Sequence, residues 1–160
     1  MGYAILDYSV TTPLKTCEET TLIKILDDAS YMKDDPVRPV LSYAFRKSVG
    51  EIFYIGEDKP DAIVCVAYAT DIPTTVRELA LYSHPKGDNC IAYTVWSYTP
   101  RSGRNIIFGL RDYVIENNFK RLVTLSPKTE MARKFHLSNG AFILSENQES
   151  DNYEYELYET

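Results

Sequence analysis

Two short constellations in this chain hold groups suited to anion binding or proton transfer. The first is Arg101-Ser-Gly-Arg104, a glycine-containing turn that follows the run Cys90 to Tyr98 and precedes Ile106, Ile107, Leu110, Tyr113 and Val114 at helical spacing. Free N–H groups at the start of that helix, with the helix dipole behind them, form a seat for an anion. Arg101 and Arg104 add charge and donors there. An ordinary strand-to-helix turn has the same composition, so both readings stay open. The second is His136. Spacing places Ala132, Phe135, His136 and Asn139 on one helical face. An imidazole on that face meets either the sheet or a bound ligand, and it ionises near neutrality, which suits proton transfer. A histidine packed at a cleft edge or bonded to backbone is the alternative. Ser126 lacks the G-x-S-x-G setting of an activated nucleophile. His84 has no metal-ligating companion at usable spacing, so no metal site is expected.

Composition bounds what these groups can serve. The chain has 160 residues, 44% hydrophobic and 25% charged, which suits one globular domain spanning 1–160. The 13 tyrosines supply large apolar bodies with polar tips for strand surfaces or a cleft. Cys17, Cys65 and Cys90 are far apart, with no C-x-x-C spacing, so buried free thiols are expected rather than a disulfide framework. With no signal peptide or membrane-length apolar run read in it, the chain is expected in the cytoplasm. Its net charge of −6 argues against nucleic acid as the main partner. Yet eight basic residues stand against three acidic ones between Arg101 and Lys134. A local positive excess in an acidic protein fits a confined anionic ligand, or else a solvated basic face.

The secondary structure that carries these residues is legible in the residue pattern. Ala4 to Val10 reads as a first strand. Thr16 to Glu19 has capping-box spacing, and Leu22, Ile25, Leu26, Ala29 and Met32 follow with helical periodicity. Asp35-Pro36 predicts the start of a second helix running to about Lys47. Glu51 to Gly56 and Ala62 to Ala69 read as a hairpin around a polar turn. Residues 71–89 read as an irregular insertion in which Thr75 to Tyr82 is a helical turn or an extra strand. Cys90 to Tyr98 is expected as a central strand. The next helix stops at Asn117-Asn118, and Arg121 to Leu125 is a buried strand. Ser126-Pro127 predicts the cap of a last helix ending at Asn139-Gly140, and Ala141 to Leu144 with Tyr153 to Tyr158 close a final hairpin. This order, seven strands with strand–helix–strand units in its second half, predicts an α/β (α+β) mixed sheet flanked by helices.

The segment Thr129 to Ala141 resembles N-x-x-A-x-x-F-Y-x-x-x-G-F of the GCN5-related N-acetyltransferase family, with Ala132, Phe135 and Gly140 in register. The order of elements is similar over nearly the whole chain. The resemblance implies an acyl-CoA N-acyltransferase fold, in which two central parallel strands, here Cys90–Tyr98 and Arg121–Leu125, splay apart. It implies that the pantetheine arm pairs with Val95, Trp96 and Ser97. It implies that Arg101, Ser102, Gly103, Arg104 and Asn105 hold the pyrophosphate, and that Thr129, Ala132 and Phe135 flank the cofactor. The chain departs from the family's Q/R-x-x-G-x-G/A turn, placing Pro100 first and Asn105 last around Gly103. Thr129 replaces the Asn, His136 the Tyr that protonates the leaving thiolate, and Ala141 the aromatic after the glycine.

The implied activity is transfer of an acetyl group from acetyl-CoA, or another acyl-CoA, to a primary amine by direct attack. His136 is the expected acid. Glu78, and Tyr98 or Ser97 at the strand end, are candidates for a base, with a solvated surface role as the plain alternative for Glu78. The altered turn motivates a second reading, a catalytically inactive binding protein of the same fold. The expected partner is a small-molecule or protein amine, without a membrane. A nucleobase, tRNA or protein N-terminus as acceptor, and a homodimer, stay open.

Overall fold

Residues 12–13 and 22–159 are described by a computed structural model of the chain. The expected first strand, Ala4 to Val10, and the capping box at Thr16 lie outside the described residues. In chain order the elements are β1 (Thr12–Pro13), β2 (Lys24–Ile25), a 3-10 helix (Ala29–Asp34), α1 (Tyr43–Val49), β3 (Gly50–Ile55), β4 (Ala62–Ala69) and α2 (Val76–Tyr82). Then come β5 (Asn89–Ser97), α3 (Ser102–Glu116), β6 (Arg121–Thr124), α4 (Glu130–Ser138), β7 (Phe142–Glu146), β8 (Asp151–Tyr155) and β9 (Tyr158–Glu159). Seven strands form one mixed sheet in the order β2-β3-β4-β5-β6-β8-β7. Its neighbours are antiparallel except β5 and β6, which are parallel and joined through α3.

The alternation of strand side chains gives the sheet two apolar faces. Val64, Val66, Cys90 and Ala92 point to the side covered by α3, with Ile106, Ile107, Leu110 and Val114. Ile63, Cys65, Ala67 and Ile91 point to the other side, with Met32 and Leu79. Cys65 and Cys90 are buried free thiols, as expected.

Two irregularities in β5 set the shape of the molecule at its C-terminal end. Cys65 pairs with Thr94 and Val66 with Ala92, so Tyr93 is an extra residue, a β-bulge. One added residue turns every later side chain to the opposite face. Tyr93 packs with the α1–α2 side, and Thr94 also reaches that side to meet Asp35, while Val95 returns to the α3 side. The second irregularity is a fork. β5 pairs with β6 only from Asn89 to Ala92, and the Leu125 N–H bonds Ala92 O at 3.0 Å. Beyond that point β5 runs on to Ser97 with no strand partner on this edge among the described residues. The expected splay of the central parallel strands is present.

Several boundaries differ from the sequence reading. The helix expected through Leu22 and Met32 is, over its described part, β2 followed by the 3-10 helix. Leu22 and Ile25 are 67% and 53% exposed, so their spacing with Leu26 marks no buried helical face. The second helix begins at Tyr43 and not at Asp35, because Ser42 Oγ accepts the Phe45 N–H. Asp35 instead takes the N–H groups of Val37 and Arg38 in a turn. Thr75 to Tyr82 is the helical alternative: Thr75 accepts the Glu78 N–H and caps α2. Thr129, not Ser126, caps α4, accepting the Ala132 N–H, while Ser126 bridges to Asp151. The last strand of the sheet ends at Tyr155.

Candidate functional site at the strand fork

The fork opens into a cleft of about 360 Å³. Its walls are Thr94, Val95, Trp96 and Ser97 on β5, Leu125, Ser126, Pro127 and Thr129 after β6, and Ala132, Phe135 and His136 on α4. Pro36 and Val37 close the α1 side. Among the described residues the lining holds no Asp, Glu, Lys or Arg. Of the residues expected to hold a cofactor, Val95, Trp96, Ser97, Gly103, Thr129, Ala132 and Phe135 are brought together here.

At one end stands the first turn of α3. Arg101 precedes it with φ 68°, in the left-handed region uncommon for a residue with a Cβ. No side chain caps this end. Ser102 N–H reaches Thr99 O at 3.4 Å and Asn105 N–H reaches Arg101 O at 3.1 Å, and the Gly103 and Arg104 N–H groups belong to the first turn, where a helix leaves donors without an intrahelical partner. Gly103 allows close approach: a Cβ there would lie 3.3 Å from Phe135 Cε1. The Ser102 hydroxyl is buried against Asp61 O (2.8 Å) and Thr99 O (2.7 Å). Arg101, Arg104 and Asn105 are exposed at this helix start, outside the cleft lining, and Arg104 lies over the Phe108 ring. Much of the remaining basic excess is paired: Lys120 with Asp88, Arg121 with Glu154, Lys128 with Asp151.

His136 is buried and reaches the cleft from α4. Its Nδ1 lies 2.8 Å from the Tyr155 hydroxyl, its ring stacks on Tyr153, and Nε2 is the nitrogen left available. Burial pushes its pKa down to about 4. At neutral pH it is therefore an uncharged imidazole, unlike the imidazolium acid expected from its free value.

Tyr98 and Glu78 are not brought to the cleft lining. The Tyr98 hydroxyl donates to Asp34 Oδ2 (2.8 Å) and accepts from Trp96 Nε1 (3.0 Å). Burial, and beyond it the Asp34 carboxylate, raise the phenol to about 12 against the opposing Trp96 donor. Glu78 accepts from the Thr74 N–H and hydroxyl, and those bonds hold its carboxyl below the ordinary value.

The sequence reading missed the other side of the fork. Arg38 Nε donates to Tyr93 O and Nη2 to Leu125 O, both at 2.9 Å, bridging the two diverging chains. The loop that carries it is fixed by a buried ion pair, Arg46 Nη1 to Asp35 Oδ2 at 2.7 Å. Thr94 Oγ1 donates to Asp35 Oδ1, and Arg46 Nη2 donates to Arg38 O. The one sequence signal was Asp35-Pro36, which reads as a helix cap just as well.

No protein-family model matches the chain, and no curated protein matches its sequence. Solved structures do match by shape. A GNAT-family acetyltransferase from Listeria monocytogenes 4b F2365 aligns with TM-score 0.57 at 10% identity, covering 85% of this chain and 94% of that one. A GNAT-family acetyltransferase from Staphylococcus aureus Mu50 aligns with TM-score 0.52 at 8% identity, covering 83% and 98%. The mixed sheet, the parallel fork and these two alignments agree: the chain has the fold of the GCN5-related N-acetyltransferases.

Proposed function

We propose that the protein is an acyltransferase that takes an acyl group, acetyl in the simplest case, from acyl-CoA to an amine. The observation that carries this reading is the open fork, an apolar cleft between β5 and β6 with an uncapped helix start at its end. The residues fit the group. The unpaired edge of β5 from Val95 to Ser97 offers backbone partners to an extended amide-bearing arm, and the Gly103 and Arg104 N–H groups, with the Arg101 and Arg104 charges, suit phosphate. The thioester supplies an activated acyl carbon: a C–N bond forms from the amine lone pair, the C–S bond breaks with its pair left on sulfur, and the proton lost by nitrogen completes the thiol.

The chain contributes mainly positioning and exclusion of water, which account for a large part of such accelerations. Phe135, Trp96, Val95 and Ala132 line the cleft and would surround the arm. His136 acts as a neutral hydrogen-bonding group held in place by Tyr155, and Tyr98 and Glu78 stay with their own partners. A second reading, an inactive binding protein of the same fold, draws on one contact: the Phe135 ring edge lies 3.3 Å from where a Cβ on Gly103 would stand, at the junction of the helix start and the cleft. Calorimetric titration with acetyl-CoA, followed by thiol release in the presence of amines, separates the two. Binding with turnover supports the enzyme, binding without any turnover supports the second reading, and no binding at millimolar concentration refutes the enzyme.

A further inference from the structure

The loop of Arg38 bears on which acceptor the fork can admit, and this inference rests on the acyl-transfer reading. Tyr93 and Leu125 are the two residues at which β5 and the chain after β6 part, and both line the cleft. Their carbonyl oxygens are hydrogen-bond acceptors at the point where the two chains part. Both already receive one edge of a guanidinium, through Arg38 Nε and Nη2 at 2.9 Å. Arg38 keeps its charge at every physiological pH. Asp35 acts on that charge but is shared with a second guanidinium. Asp35 Oδ2 is bound to Arg46 and its Oδ1 to Thr94 and two backbone N–H groups, so two guanidiniums stand against one carboxylate. Asp34, the preceding carboxylate, accepts the Tyr98 hydroxyl and is exposed outside the cleft lining. No acidic side chain lines the cleft among the described residues.

A carbonyl oxygen has a second lone pair, so Tyr93 O and Leu125 O can still accept from an uncharged N–H. A second cation placed on them would lie within a few ångströms of the first, in an apolar cleft with no acidic side chain in its lining among the described residues, where like charges strongly disfavour one another. We infer that the acceptor is a weakly basic amine, uncharged at neutral pH, of the arylamine or hydrazine type, and that Arg38 is the specificity-determining residue that turns away alkylammonium groups such as lysine side chains and polyamines. Such an acceptor arrives with its lone pair free, so the transfer needs no general base, which accords with the prior commitments of Tyr98 and Glu78.

Aniline and cyclohexylamine test this. They are nearly the same shape, and at pH 7.5 only the second is charged. Acetyl-CoA binding is measured first by calorimetry, so failure of the acyl-transfer reading is seen separately. Amide chemical shifts at Tyr93 and Leu125 then report amine binding without cofactor, and thiol release reports transfer. The expected result is a preference for aniline in binding of about tenfold or more, the size of one pKa unit of like-charge repulsion, with thiol release in the presence of aniline. Arg38→Met should bring that ratio close to one, and Arg38→Lys should keep it. If Arg38→Met fails to fold by circular dichroism, Arg38→Gln takes its place. Equal or better binding of cyclohexylamine by the native protein, a ratio unmoved by losing the guanidinium, or acetyl-CoA binding with no response to either amine would overturn the inference.

Discussion

Arg38 Nη2 lies 2.9 Å from the carbonyl oxygen of Leu125, the first residue past β6. The same guanidinium holds Tyr93 O on β5. The loop after the 3-10 helix is thereby part of the fork, and whatever fixes that loop fixes one wall of the cleft. The β5 bulge has a share in this. Without the extra residue Thr94 would face α3, and Asp35 would lose the hydroxyl that bonds it at 2.8 Å.

The buried pair should dominate the stability of this region. Arg46 and Asp35 side chains are both fully buried and 2.7 Å apart. Arg46→Met leaves an uncompensated buried carboxylate and should cost about 3–5 kcal/mol in urea unfolding. Replacing both partners, Asp35→Leu with Arg46→Met, should recover a large part of the loss. A single-variant loss below about 1 kcal/mol would show that the pair is not desolvated as described.

Local chemistry was legible in the sequence and remote chemistry was not. Asn117-Asn118 stops α3 as its composition suggests, with Asn118 at φ 61°. The β3–β4 hairpin, central β5 and the α4 register of Ala132, Phe135 and Gly140 follow from patterns that span only a few residues. Asp35 shows the limit. Its side chain partners Thr94, 59 positions away, and Arg46, 11 positions away, and neither bond has a local signature. Tyr98 was misjudged for the same reason: its hydroxyl belongs to Asp34, 64 positions away. Ser126-Pro127 looked like a cap, yet Thr129 followed by Glu130 supplies a better one.

His136 should make the fold acid-sensitive. Its folded pKa lies at about 4, below the unfolded value of 6.5, so the unfolded chain binds more protons between those pH values. Stability is then complete above about pH 6.5 and falls as pH drops toward 4, by about 3 kcal/mol from this residue. Urea midpoints at pH 4.5 and 7.5 should differ clearly in the native protein and less in His136→Phe. Titration of the imidazole by NMR with a midpoint near 6.5 would contradict the buried neutral ring, and any pH–rate profile should lack a limb there.

Gly103 should be intolerant of side chains. A Cβ at this position approaches Phe135 Cε1 at 3.3 Å, and Val would press further into the ring. Gly103→Val should weaken acetyl-CoA binding by about tenfold or more, about 1.4 kcal/mol, with little change in thermal midpoint. Adding Phe135→Ala should restore part of the affinity. Unchanged binding in Gly103→Val would remove the helix start from the site.

The α4 cap should be worth its ordinary amount. Thr129 Oγ1 accepts the Ala132 N–H at 3.2 Å, at a helix of 9 residues whose inner face carries His136. Thr129→Ala should cost about 1 kcal/mol of stability by denaturant unfolding, and Thr129→Ser should cost much less. Equal losses in the two variants would argue that the methyl group, and not the hydroxyl, is what matters.

Whether the fork seats acyl-CoA is decided by titrating the isotope-labelled protein with acetyl-CoA and following amide chemical shifts. Saturable binding is expected, with the largest changes at Val95, Ser97, Gly103, Arg104 and Ala132, along both sides of the fork and at the start of α3. Saturable shifts confined to other surfaces, or none at millimolar acetyl-CoA, would refute a cofactor site at the fork.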